Sequence, residues 1–190
     1  AMPTIRERFF LSAEESLLVV IDVQERLCKA MDQQVLGQLT AHTAVLLEAA
    51  HELQVPVAVT EQYVKGLGAT VEVLSDKLGD APRHEKMAFS SCGCAGFVEQ
   101  LRSSGRRQIV ITGMETHVCV LQTVLELLDA GYQVQVVRDA VMSRSRHNWN
   151  TALEEMRQAG AVITCTESVL FQWLRVAGTE SFKKLSKLVK

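Results

Sequence analysis

The stretch Gln108–Leu128, QIVITGMETHVCVLQTVLELL, predicts a strand, a sharp turn and a helix in succession. Its β-branched apolar run stops at Gly113, and apolar residues then recur at helical spacing from Val118 onward. Cys119 therefore falls at or near the first turn of a helix. Backbone N–H groups there lack partners within the helix, so they can stabilise a thiolate or the oxyanion of an acyl-transfer intermediate. This position makes Cys119 a candidate nucleophile.

The rest of the chain alternates short apolar runs with amphipathic helical patterns, which is typical of an open α/β sheet. The run LLVVIDV at 17–23 is interrupted only by Asp22, as expected of a parallel strand covered by helices on both faces. Further strands are predicted at 55–60, 108–112, 134–137 and 161–166, with an edge strand within 81–90. Helices are predicted at 36–53, 96–104, 118–128, 147–158, 168–176 and 182–188, and 61–70 is predicted to be a loop. The predicted fold class is therefore α/β, a three-layer α/β/α arrangement around a mainly parallel, roughly six-stranded, Rossmann-like sheet.

The sequence predicts one domain over residues 1–190, because it contains no internal repeat and no linker. Residues 1–15 form an N-terminal arm in this prediction, and residues 168–190 form a C-terminal helical segment. Apolar side chains in that segment, such as Phe171 and Trp173, could form an interface between copies or pack on their own domain. The sequence leaves both arrangements open.

Composition excludes several classes of partner. The net charge is −2, and cationic and anionic residues are interspersed, so the chain has no electrostatic footprint for nucleic acid or an anionic membrane. No apolar run approaches the roughly 18 residues that span a bilayer. The first residues lack the apolar region of a signal peptide, so a cytoplasmic location is predicted.

Five scattered cysteines are expected to be free thiols rather than a disulfide framework. Cys92 and Cys94 form C-G-C, which differs from the C-x-x-C redox motif, so a structural role is expected for both. A redox function with Cys119 remains an alternative. That alternative requires a second cysteine whose Cα lies within about 7 Å of the Cys119 Cα.

Asp22, Lys86 and Cys119 are the reactive side chains that an open sheet can bring together. Ligands of such folds bind beyond the carboxyl ends of the strands, where the strand order reverses. There Asp22 could accept the thiol proton, and the Lys86 cation would favour the thiolate. Each residue also has a structural interpretation, as a helix cap, a surface lysine and a small buried side chain respectively. The spacing of the three residues does not distinguish the catalytic from the structural interpretation.

Four motifs resemble the isochorismatase-like cysteine hydrolases, the superfamily that also contains nicotinamidases and N-carbamoylsarcosine amidase. They are LLVVIDVQ at 17–24, TEQYVKGLG at 60–68, KMAFS at 86–90 and GMETHVCV at 113–120. The resemblance covers about residues 16–167. The TEQYVKGLG loop is similar to that of the subgroup called isochorismatase domain-containing proteins.

The resemblance implies a catalytic triad of Asp22, Lys86 and Cys119 that works through a covalent thioester. It also implies a non-proline cis peptide between Met114 and Glu115, and an oxyanion hole formed by the backbone N–H groups of Glu115 and Cys119. Homo-oligomers are expected by the same resemblance. By motif position, the substrate pocket is expected to include the side chains Gln24, Tyr63 and Phe89.

The sequence departs from the nicotinamidases in the loop after the second strand, which contains no histidine. Nicotinamidases build a metal site there, so no metal and no other cofactor is predicted for this chain. His117 is expected to be a turn residue. The leading prediction is a metal-independent cysteine hydrolase that cleaves a C–N bond of a small molecule, and the alternatives are a non-catalytic binding or scaffold protein and a thiol redox protein.

Overall fold

A computed structural model, which describes residues 1–190, contains one six-stranded sheet in which every pairing is parallel. Its strands are β1 (Ser16–Ile21), β2 (Val57–Gln62), β3 (Arg83–Lys86), β4 (Gln108–Met114), β5 (Gln133–Met142) and β6 (Val162–Thr164). The order across the sheet is β3-β2-β1-β4-β5-β6, so the strand order reverses between β1 and β4. The predicted α/β fold class is confirmed.

Helices cover both faces of the sheet. They are α1 (Ile5–Phe9), α2 (Glu25–Lys29), α3 (Gln33–Leu53), α4 (Val64–Leu67), α5 (Glu72–Leu78), α6 (Ala95–Ser104), α7 (Leu121–Asp129), α8 (Arg146–Ala159), α9 (Thr166–Leu174) and α10 (Glu180–Leu185). Apolar residues of α3, α5, α9 and α10 share one core, and those of α6, α7 and α8 share the other. The sheet is therefore the middle of three layers.

The apolar sequence of β1 follows from its position between these two cores. Leu18 and Val20 point into the first core, whereas Leu17, Val19 and Ile21 point into the second. All six residues of β1 are buried, because alternate side chains of a strand face opposite sides of the sheet and both sides are covered.

Several strand ends differ from the sequence prediction, and the differences matter for the site. β1 ends at Ile21, so Asp22 follows the strand. β2 continues through Gln62 into the stretch predicted to be a loop, and α4 also lies in that stretch. β4 continues past Gly113, whose φ of +120° only glycine adopts easily. A Cβ on Gly113 would lie 2.1 Å from the carbonyl oxygen of Ile21, so glycine is what lets β4 pair closely with the end of β1.

The two ends of the chain pack on the domain. The N-terminal arm forms α1, closed by a capping box between Thr4 and Glu7, and Leu11 after it is fully buried. Trp173 is buried as well, and its Nε1 donates to the Ser16 hydroxyl over 2.9 Å. Phe171 remains 40% exposed. The buried apolar side chains of the C-terminal segment thus complete the core of their own chain.

None of the helices combines the length and the apolar composition that crossing a membrane would require.

Candidate active site

The carboxyl ends of β1, β3 and β4 bring Asp22, Lys86 and the turn that carries Cys119 to one edge of the sheet. Asp22 has a left-handed backbone conformation, with φ of 52°, and its N–H donates to the carbonyl of Thr60 over 3.0 Å. This turn keeps the carboxylate at the end of β1, at the point where the strand order reverses. Ligand sites of open α/β sheets form at this location.

Asp22 and Lys86 form a salt bridge that is shielded from water. Lys86 Nζ lies 2.8 Å from Asp22 Oδ2, and the Lys86 and Asp22 side chains are 1% and 0% exposed respectively. Removing two charges from water costs several kcal/mol per ion, which only close pairing and further hydrogen bonds offset. Such a pair is therefore expected to have its remaining polar atoms satisfied.

The surrounding groups satisfy both charges. Lys86 Nζ also donates to Gln62 Oε1 over 2.6 Å, and to the carbonyls of Phe89 over 2.8 Å and Ala88 over 3.2 Å. The Thr60 hydroxyl donates to Asp22 Oδ1 over 2.8 Å. These hydrogen bonds thus hold both side chains of the pair in place.

Sequence reasoning did not identify Thr60 and Gln62. Both lie on β2, two residues apart, so their side chains emerge on the same face of the sheet. The signal was present in the alternation Thr60-Glu61-Gln62. It was hidden because the stretch from Glu61 onward was predicted to be a loop.

Cys119 lies beside this pair, in a π-helical turn (Thr116–Val120) that precedes α7. The expected α-helical first turn is therefore wrong in detail, although the thiol keeps its position after β4. Burial raises the pKa of the Cys119 thiol to about 12, with the Asp22 carboxylate adding to the rise and the Lys86 cation opposing it. Lys86 favours the thiolate as expected, but burial and Asp22 outweigh it. The resting thiol is protonated at neutral pH.

The turn before Cys119 contains the cis peptide bond between Met114 and Glu115. The backbone N–H of Glu115, between β4 and the π-helical turn, donates to no acceptor within the chain. Unpaired N–H groups of this kind are the donors that an oxyanion requires. The Glu115 N–H lies four residues before the thiol in sequence.

Comparisons with known proteins show the family of this chain. The sequence profile described as the isochorismatase domain matches residues 16–168. The chain belongs to the isochorismatase family. A Phytophthora sojae relative named secreted isochorismatase effector Isc1 is 44% identical over 186 residues, which cover 95% of this chain and 87% of that protein.

Two further relatives agree with the family assignment. Isochorismatase domain-containing protein 2 of Xenopus laevis is 38% identical over 189 residues, covering 99% of this chain and 90% of that protein. The structure titled MAR1 ribonuclease from Caenorhabditis elegans is 35% identical, with a TM-score of 0.88 over 94% of this chain and 91% of that chain. The resemblance inferred from the four motifs is confirmed.

The three residues expected to line the pocket of this isochorismatase-family protein differ in how far they are buried. Gln24 is fully buried, and its side-chain amide bonds to the backbone of Gln62 and Gly68. Its polar atoms are thereby occupied by the backbone, and a place for Gln24 in the pocket stays a prediction. Tyr63 and Phe89 are 45% and 53% exposed. The Tyr63 N–H donates to the Lys86 carbonyl over 3.0 Å, and the Phe89 carbonyl accepts from Lys86 Nζ over 2.8 Å.

His117 and Glu115 tie the cysteine turn to the segment after β5. His117 Nδ1 lies 2.9 Å from the Ser143 hydroxyl. Glu115 Oε1 accepts from the backbone N–H of Arg144 over 3.0 Å and from its Nε over 2.9 Å. The His117 ring is therefore held within the fold, consistent with its expected role as a turn residue.

No three His, Cys, Asp or Glu side chains come together in a way that could hold a metal ion. All five cysteines are free thiols. A reaction without metal or cofactor stays a prediction.

Proposed function

We propose that this protein is a metal-independent cysteine hydrolase that cleaves a C–N bond of a small amide or related molecule through a thioester on Cys119. The observation that carries the proposal is the fully buried Asp22–Lys86 pair beside a buried thiol. Strong perturbation of a titratable group by burial and a specific charged partner is typical of functional sites. Membership of the isochorismatase family supports the same conclusion.

In the first half of the reaction Asp22 acts as the general base. The thiol is protonated at rest, so its proton passes to the Asp22 carboxylate as Sγ attacks the substrate carbonyl carbon. The new S–C bond places negative charge on the carbonyl oxygen. The free N–H of Glu115, together with the N–H of Cys119, would stabilise that oxyanion.

The second half releases both products. Asp22 returns the proton to the nitrogen as the C–N bond breaks and the amine leaves, which gives a thioester. Water then attacks the thioester and gives a proton to Asp22. When the S–C bond breaks, that proton passes to Sγ and the acid is released, so the enzyme returns to its starting state.

Lys86 is a catalytic residue in this scheme because its ammonium contacts the reacting Asp22 carboxylate and favours the Cys119 thiolate. The contacts from Thr60 to Asp22 and from Gln62 to Lys86 make these two residues positioning residues. Both fix the orientation of a group that transfers or stabilises charge, without facing the substrate themselves.

The test is hydrolysis of a panel of small primary amides and ureido compounds, measured by the release of ammonia or amine. We expect wild type and Cys165→Ala to hydrolyse the same compounds, because Cys165 is exposed and lies after β6. Cys119→Ala and Asp22→Asn are expected to lose at least about 1000-fold in rate, in line with the loss of a nucleophile or its base. Turnover retained by either variant would remove the triad assignment.

The same assay separates the other functions. The C. elegans relative is titled a ribonuclease, so an RNA oligonucleotide is included as a substrate. A net charge of −2 gives no footprint for phosphate chains, and we expect no Cys119-dependent cleavage of RNA. Cleavage of RNA alone would replace the amidase proposal, and no reaction on any substrate would favour a binding protein. A homo-oligomer and a cytoplasmic location stay predictions.

A further inference from the structure

A cavity of about 580 Å³ opens where β5 ends, between the first turns of α3 and α8. None of Asp22, Lys86 and Cys119 lines it. Its volume falls in the range of cavities that hold small molecules. It therefore has room for a ligand of its own next to the candidate active site.

Three arginines line this cavity, and two of them are already held in place. Arg138 lies over the Trp149 ring, with its guanidinium carbon 4.8 Å from the ring centroid. Arg144 is anchored to Glu115 through its backbone N–H and its Nε, while its two terminal amino groups donate to nothing in the chain. Arg146 forms no salt bridge and no side-chain hydrogen bond. Donors that are fixed before a ligand arrives lose little entropy on binding it.

Each of the two carboxylates on the lining is partly occupied, through its Oδ1 atom. Asp32 Oδ1 accepts from the backbone N–H groups of Gln34 and Val35, both at 3.0 Å. Asp139 Oδ1 accepts from the N–H of Thr166 over 2.9 Å and from its hydroxyl over 2.8 Å. The lining thus has three cations against two anions, and each anion already has one of its two carboxylate oxygens engaged.

The remaining wall is mainly apolar, with Gln38 and Ser143 as its polar residues. It includes the buried side chains of Leu39 and Met142, the 43% exposed Val35 and the half-buried ring of Trp149. Guanidinium groups recognise carboxylates and phosphates, and an aromatic ring beside them favours a flat apolar group.

We propose that this cavity binds a small molecule with a carboxylate or phosphate at one end and an aromatic or apolar body at the other. Arg138, Arg144 and Arg146 hold the anionic end, and the body lies against Trp149 and Val35. The site is separate from the triad. Its test measures binding alone, so it stands whether or not the proposed hydrolysis is found.

Equilibrium dialysis of the full chain with phenyl phosphate, benzoate and benzyl alcohol tests the site. We expect one saturable site per chain for at least one of the two anions, and the stronger of them identifies the preferred head group. Benzyl alcohol has the same ring without the charge, and it is expected to bind at least about tenfold more weakly.

Variants locate the site. R138Q combined with R146Q is expected to weaken anion binding at least about tenfold, because two of the three cations are lost. R157Q removes an exposed arginine from the same helix as Arg146 but outside the cavity, and wild-type binding is expected for it. Absence of saturable binding of either anion would overturn the proposal. Binding of wild-type strength by the R138Q/R146Q variant would overturn it as well.

Discussion

Removing one partner of the Asp22–Lys86 pair should cost far more stability than removing one partner of an exposed pair at the same distance. In the Lys86→Met variant the Asp22 carboxylate stays buried without its cation, and the acceptors on Gln62 and Phe89 lose their donor. The chain contains a matched control, because Lys77 and Glu48 form a pair at 2.7 Å with side chains 36% and 41% exposed.

The expected magnitude follows from distance and burial. Two unit charges 2.8 Å apart attract each other by about 6 kcal/mol at an effective dielectric constant of about 20, and desolvation offsets part of this. Breaking such a buried pair by removing one partner typically costs about 3–5 kcal/mol. An exposed pair is typically worth about 0.2–1 kcal/mol, because water screens it.

Double-mutant cycles measured by urea unfolding at neutral pH compare the two pairs. One cycle uses Asp22→Asn and Lys86→Met, and the other uses Glu48→Gln and Lys77→Met. We expect a coupling free energy of about 2–3 kcal/mol for the first cycle and less than about 1 kcal/mol for the second. Additive effects in the Asp22–Lys86 cycle would refute the argument, because they would show that the two charges do not meet in a water-excluded site.

Three further predictions concern the thiol, the hydroxyl on β2 and the turn glycine. The alkylation rate of Cys119 should rise about tenfold per pH unit from neutrality to about pH 10 without a plateau. The reason is that the thiolate is the reactive form and the pKa of the thiol is raised to about 12. Peptide mapping that finds a plateau in this rate near neutrality would contradict the prediction. Thr60→Val should lower the free energy of unfolding by about 1.5–3 kcal/mol and Thr112→Val by about 1 kcal/mol, since only Thr60 donates to a carboxylate. A larger decrease for Thr112→Val in urea unfolding would contradict the hydrogen bond from Thr60 to Asp22. Gly113→Ala should lower the free energy of unfolding by about 3 kcal/mol or more, because the new Cβ would meet the backbone of β1. Gly79→Ala, with open space around it, should lower it by about 1–2 kcal/mol. Equal decreases for the two variants in thermal or urea unfolding would count against the close pairing of β1 and β4.

The sheet could be predicted from sequence because both of its faces are covered. In a chain that also contains amphipathic helices, a continuous apolar run such as that of β1 indicates a strand buried on both sides. The ends of the strands were harder to predict, because β2 continues through the polar residues Glu61 and Gln62. Polar side chains usually mark the end of a buried strand. Here the polar side chains are themselves buried, because hydrogen bonds at the site satisfy them.

The candidate site was predictable only in part for a related reason. Motifs indicated Asp22, Lys86 and Cys119, but a sequence carries no direct record of hydrogen-bond geometry. The amide of Gln24 could face a substrate or the backbone, and the structure shows that it holds the backbone. The thiol's environment likewise depends on the balance between burial and two opposite charges, which only the three-dimensional arrangement reveals.

Trapping the covalent intermediate tests the central claim most directly. Wild type, Cys119→Ala and Cys165→Ala are mixed with each amide of the panel, quenched in acid within the first turnovers and weighed intact by mass spectrometry. The account predicts an added mass equal to the acyl group on wild type and Cys165→Ala, mapped to Cys119 and absent from Cys119→Ala. Amide hydrolysis without any acyl adduct on Cys119, or an adduct that persists in Cys119→Ala, would contradict it.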